Sequence, residues 1–498
     1  MRLTMTFRFP TGVALHALMF LWVVLLSTEA CGKGLYPGIP RCGIYQVKVD
    51  LKKSPVFQNA CPVFKLGKQG MLAKDRKPLK LHAGRSISWT NIALHQPVEV
   101  EVTLLNTKRV QPSDRVRILP SRHKVKAEVK GNVIRFTLRK PGQYSVEIGE
   151  KGYRNGLMIF ANPPEKDKPG NNKTYARFDG ATASQLSHGA QGRSGIYFEK
   201  GHHKIGIYKV PEHIKNIYFE RGAWVDGALI LDGNRDVKIF GRGVLSSRHI
   251  DYRAAHGIEA INRASRIKVE GITVADFKHF GLRMVSTHTS VQWVKVIGAW
   301  LWNMDGISVR DHSKVQHCFI WANDDAIKPY RHNILFEDIV VWQLDNGGTI
   351  QMSWGNSKAS DVVIRRVDLL RADWDRPGFN RGLLNCVGNR YQKEDVSTVL
   401  QNWLIEDLVT ENPVPVIFKI SPYEHAPVTL DGLTLRNWNV KMTRGTKFQN
   451  EIIGLNTRMA FRGLVFDRII FNGDRLTQDA WRKQLNGVFS NIHEPLVK

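Results

Sequence analysis

A short unit of sequence recurs through the second part of this 498-residue chain, and that recurrence limits the fold more than any single segment does. Segments starting at Ser265, Thr289, Ser313, His332, Ser360, Gln401, Ala426 and Arg462 align without gaps over eight positions. Their third positions are Ile267, Val291, Val315, Ile334, Val362, Trp403, Val428 and Leu464, and their eighth positions are apolar throughout, from Ile272 to Ile469. The fifth positions, among them Val269, Trp293, His317, Phe336 and Leu430, share a strand face with the third, because strand side chains alternate with a period of two. The eighth changes parity, so a bend rich in Gly and Asp must bring it back inward. Each repeat is therefore a strand, a corner and a second strand.

The first intervals, 24, 24 and 19 residues, are too short for strand-helix-strand crossovers of about 30 residues or more. The expected fold class is all-β, a right-handed parallel β-helix over residues 196–498 preceded by an N-terminal β-sandwich. In this scheme His317 faces inward and is expected to be a hydrogen-bonded core histidine.

Residues 31–165 read as the sandwich, with short alternating strands such as Val98 to Val102, Val133 to Leu138 and Tyr144 to Ile148. A Pro- and Lys-rich stretch follows Asn162, and residues 166–195 form a linker and lead-in segment. Residues 1–30 carry Arg2 and Arg8, an apolar run from Val13 to Leu26 and small residues before Ala30, the layout of a signal peptide. A secreted, extracellular protein without a membrane span in its mature form is expected. Cys31, Cys42 and Cys61 crowd the mature N-terminus, where one disulfide is expected, and Asn172 heads a glycosylation acceptor sequence for a eukaryotic secretory route. Cys318 reads as a small buried hydrophobe.

The formal charge is +27, with 72 Lys and Arg against 45 Asp and Glu. A field of that sign attracts anionic polymers. The basic residues, such as Arg115, Arg117, Arg122, Lys124 and Lys126, are scattered rather than gathered into a nucleic-acid module, so no nucleic-acid partner is expected.

Asp305, in Trp302-Asn303-Met304-Asp305-Gly306, and Asp324, in Asn323-Asp324-Asp325, stand 19 residues apart, close to one turn of the solenoid. Stacked coils lie about 4.8 Å apart, which brings the three carboxylates together. Crowding raises at least one pKa and leaves a protonated acid beside an ionised base, the pairing that glycoside hydrolysis requires. The residues alone do not say which aspartate is the acid.

These motifs, with Asn323 to Tyr330, Trp342 to Gly355 and the junction Ile159 to Pro163, resemble the dextranase and isopullulanase family, glycoside hydrolase family 49, related to polygalacturonase-type β-helix hydrolases. The resemblance implies an inverting hydrolase of an α-glucan such as dextran or pullulan, with Asp324 as general acid and Asp305 and Asp325 holding and deprotonating the water. In the matched motifs Asn303, Lys328, Tyr330, Asn346, Gln351 and Trp354 are the expected substrate-binding residues, with Lys328 equally open to being a structural partner of Asp325, and no metal or other cofactor is expected. Trp302, Trp321 and Trp342 are open between packing and sugar contact. A polysaccharide is the expected partner and a monomer the expected state. The charge keeps two alternatives in view, a hydrolase of a sulfated or carboxylated polysaccharide on the same fold and a non-catalytic glycan-binding or matrix protein, and β-helices also host lyases, which here would use Lys328 as base and calcium held by the aspartates.

Overall fold

A computed structural model describes residues 39, 41–64, 78–105, 115–149, 155–170, 173–298, 302–354, 358–388 and 397–498. The expected leader, Cys31 and Asn172 lie outside these residues, as does the Cys61 side chain. The disulfide and glycosylation expectations therefore fall outside the described residues.

The sandwich is two five-stranded sheets. Its outer sheet is antiparallel, with Val98–Leu104 between Tyr45–Val49 and Val133–Leu138. Val98, Val100, Val102 and Leu104 point into the sandwich core while Glu99 faces solvent, the alternation expected of a strand buried on one face. The inner sheet is buried on both faces. Leu157 and Ile159 of Asn155–Asn162 enter the sandwich core, and Met158 and Phe160 between them face the solenoid. The first solenoid strand is Tyr175–Phe178, inside the stretch read from sequence as linker and lead-in.

The solenoid winds three parallel sheets. Sheet I contains Lys268–Glu270, Ser290–Gln292 and Lys314–Gln316. Sheet II contains Thr273–Ala275, Lys295–Ile297 and Phe319–Ala322. Sheet III contains Ile258–Ile261, Leu282–Met284, Ile307–Val309 and Ile327–Pro329. Stacked Val, Ile and Leu side chains fill the interior continuously, so each coil covers the apolar face of the next.

The corner between sheets I and II is a ladder of left-handed residues: Gly271, Trp293, His317, Asp338, Arg366, Asp407 and Asn437, with φ from 54° to 80°. One such residue turns the chain without breaking the inward alternation on either side. The ladder corrects the gapless alignment. Val269 stacks on Val291, Val315 on Phe336 and Ile405 on Leu435, so some segments were displaced by the varying length of the coils. His317 consequently stands on the corner, not in the core. Its ring stacks on Trp293 at 4.6 Å and its Nδ1 lies 3.2 Å from Asp338.

The sandwich packs on sheet II through Trp89, Met158 and Phe160 against Trp224, Phe319, Trp321 and Trp342. Trp321 and Trp342 are thus packing residues, 1% and 4% exposed. Polar ties cross the seam as well: Arg122 to Asp368 at 2.7 Å, Gln143 to the His317 carbonyl at 2.9 Å, and Asn59 to Asp276. No helix among the described residues is long and apolar enough to cross a membrane.

Candidate active site

The corner between sheets II and III carries the aspartates. Ile307 pairs with Ile327, so Asp305 lies directly beside Asp325 on the next coil and Asp324 one residue toward sheet II. Backbone bonds fix this stack, from Gly306 N to the Asp325 carbonyl at 2.9 Å and from Asp324 N to the Met304 carbonyl at 3.0 Å. The following coil presses Gly347, at φ +77°, against the same corner. A Cβ there would come within 2.3 Å of the Asp324 carbonyl carbon, so this close approach requires glycine.

The three carboxylates have different surroundings. Asp324 accepts from the Asn303 amide and Asn346 Nδ2 on Oδ2, both at 2.8 Å, and from the Asp325 amide at 3.1 Å and Asn380 Nδ2 at 3.2 Å on Oδ1. Asp325 accepts from the Gly348 amide at 2.9 Å and Gln351 Nε2 at 3.3 Å, and its Oδ2 lies 3.1 Å from Lys328 Nζ. Lys328 also donates to Asp305 Oδ2, while Asp305 Oδ1 is buried without a hydrogen-bond partner. Asp324 is 6% exposed against 2% for each of the other two.

Burial raises the Asp324 carboxyl to about 6, with the Asp325 charge adding to the shift and Lys328 opposing it. Burial likewise pushes Asp305 well up, against the pull of Lys328. Lys328 is buried too, yet Asp305, Tyr330 and Asp325 hold its ammonium well above the ordinary lysine value. Upward shifts on both members of the Asp305–Lys328 pair act in opposite senses, and geometry decides between them. An ammonium in contact with two carboxylates stays charged. One cation facing three acids leaves the cluster holding a proton near neutrality.

Each aspartate offers an oxygen within 4.8 Å of those of the other two, a set that suits an oxygen-ligated divalent cation. The Lys328 ammonium supplies a positive charge at that point. The same spacing lets one water bridge two carboxylates at about 2.8 Å from each.

No family model matches the chain. A dextranase of Arthrobacter globiformis is 22% identical over 83% of this chain and 76% of its own length. An isopullulanase of Aspergillus niger is 23% identical over 66% of this chain and 63% of its own. The chain is thus similar in sequence to dextranases and an isopullulanase over most of its length. Dex49A from Penicillium minioluteum superposes with a TM-score of 0.75 at 16% identity, covering 92% of this chain and 95% of that one, which establishes the shared fold.

Most of the residues expected to hold substrate also contact the aspartates. Asn346 and the Asn303 amide bind Asp324, Gln351 binds Asp325, and Lys328 joins Asp305 to Asp325. Tyr330 is 5% exposed, its hydroxyl is buried without a partner, and its ring lies 5.4 Å from the Lys328 ammonium. Trp354 stacks on Phe379 at 5.8 Å, at the rim. Trp302 is half-buried and its carbonyl accepts from the Tyr252 hydroxyl at 3.0 Å.

Several participants escaped the sequence reading. Asn380 bonds both Asp324 and Gln351, and Asn385 bonds Gln351 at 3.0 Å; both come from coils beyond the recognised motifs. On the preceding coils His256 and His279 stack at 3.9 Å beside Phe280, whose ring lies 4.6 Å from Lys328 Nζ. Burial lowers His256 to about 2 and His279 to about 4, with cationic neighbours adding to the shift, so both stay neutral. Their only signal was a His on each of two successive coils.

Proposed function

We propose that the protein is a secreted, inverting, endo-acting glycoside hydrolase that cleaves an α-glucan such as dextran or pullulan. The observation that carries this reading is the trio of buried carboxylates around one ammonium, on adjoining coils of a dextranase-like β-helix.

Asp324 is the general acid. It is the most accessible of the three and the one whose pKa, about 6, sits near working pH. Both its oxygens accept two N–H donors each. Withdrawal of the Asn346 side-chain amide as a glycan binds would leave Oδ2 one donor short and able to carry the proton that passes to the glycosidic oxygen. Asp305 and Asp325 hold a water by their carboxylate oxygens. Its oxygen attacks the anomeric carbon, the bond to the leaving sugar breaks, Asp324 protonates the leaving oxygen, and the water proton passes to the carboxylate pair. The free Asp305 Oδ1 is the position from which that water can be gripped.

The test is reducing-end release from dextran and pullulan with the first product followed by NMR. Release of the inverted anomer is expected. A folded protein inactive on every α-glucan would sink the substrate assignment, and a retained anomer would sink the stereochemistry.

A further inference from the structure

The strand that begins at the catalytic corner ends on an arginine. Ile307–Val309 runs from Asp305 to Arg310, roughly 17 Å of extended chain, a span for an oligosaccharide rather than one sugar ring. Between them Ser308 faces outward, flanked by Arg283 on the preceding coil and Lys328 on the next. The Tyr330 amide bonds the Val309 carbonyl at 3.0 Å, which sets Tyr330 beside Arg310.

Past Arg310, at the corner between sheets III and I, lies a hollow of about 390 Å³ whose wall includes Arg235, Arg263, Arg266, His288 and Arg310. Asp311 is the one carboxylate among the described residues of that wall, and its Oδ1 already accepts the His332 amide at 3.2 Å. Arg266 is paired with Asp236 at 2.5 Å, but Arg235 and Arg263 are exposed, and the buried Nε of Arg310 has no hydrogen-bond partner. Burial, and after it the charges of Arg331 and Arg283, push the Arg310 guanidinium down. A neutral glucan offers nothing to relieve that repulsion. A guanidinium binds oxyanions through paired N–H donors, whether planar like a carboxylate or tetrahedral like a phosphate or sulfate.

We propose that this hollow is a subsite for an anionic substituent, a sulfate or carboxylate, on the glycan whose scissile bond lies at Asp324. The proposal rests on the hydrolase reading only for where the glycan runs, since an inactive protein would bind the same group.

The test is calorimetric titration of full-length D324N with isomalto-oligosaccharides of one length, either neutral, bearing one sulfate, or bearing one terminal uronate. At low salt at least one charged ligand is expected to bind tenfold or more tighter than the neutral one, and the tighter of the two identifies the group. R263Q/R310Q should erase most of that preference. K124Q/K126Q, which removes equal charge from a basic hollow of about 410 Å³ on the sandwich, should keep it. R263Q alone, at an exposed side chain, decides the matter if the double variant does not fold. Equal affinity for neutral and charged ligands, or equal losses in the two double variants, overturns the subsite. Failure to cleave dextran would overturn the hydrolase reading and leave this binding result standing.

Discussion

Two buried carboxylates, one on the domain seam and one in the cleft, have nearly the same exposure and very different circumstances. Asp368 is 5% exposed and Asp324 is 6% exposed. Burial is the largest cause of an upward shift in both, to about 7 and about 6. Asp368 meets one arginine, Arg122, from the sandwich at 2.7 Å, while the charges of Glu411 and Asp338 add to its upward shift. Asp324 meets two further aspartates and four N–H donors. A raised pKa is therefore no mark of catalysis by itself. What singles out the catalytic corner is the direct crowding of three carboxylates around one ammonium.

The strongest way to break this contrast is Asp324→Asn. Loss of a general acid should lower kcat on dextran by about 10²–10⁴-fold per folded molecule. Full activity in the variant would move the acid elsewhere. Lys328→Met tests the cation that holds the cluster together. Removing one partner of a buried ion pair costs about 3–5 kcal/mol, so urea unfolding should show a loss of that order and activity should fall with it. A stable, active variant would mean that Lys328 is dispensable.

On the seam the expected result is the reverse. Trp89→Ala should cost about 3–5 kcal/mol by opening a cavity against Trp224 and Phe160, while kcat per folded molecule stays at the wild-type value. A large drop in kcat would join the seam to the chemistry. The smallest effect concerns Asp368. A carboxyl whose pKa is raised on folding binds more protons in the folded state, so its contribution declines as pH rises from its unfolded value toward about 7. Asp368→Asn should gain on the wild type in urea midpoint across that window. A constant difference would place the Asp368 pKa near its ordinary value.

The solenoid was legible because its stacked apolar columns repeat at intervals too short for helices, and the aspartates were legible because their spacing nearly matches one coil. Register was harder to read. Coil length changes from turn to turn, and a gapless alignment put Trp293 and His317 inside when the left-handed corner places them on the edge. The same cause hid Asn380 and Asn385, which reach the site from coils separated by long loops. Trp321 and Trp342 look like sugar platforms beside the aspartates, but strand alternation turns them under the sandwich. In sequence, a side chain that supports a carboxylate looks the same as one that touches a sugar. Asn346 and Gln351, expected to bind substrate, bond Asp324 and Asp325 here.

The central claim is that the crowded corner keeps one proton on Asp324 at working pH. The pH dependence of kcat/KM for dextran tests it most directly. An acid that must be protonated predicts a descending limb with an apparent pKa near 6, the rate falling about tenfold per unit above it. A rate that stays level from about pH 5 to 8 would contradict the account.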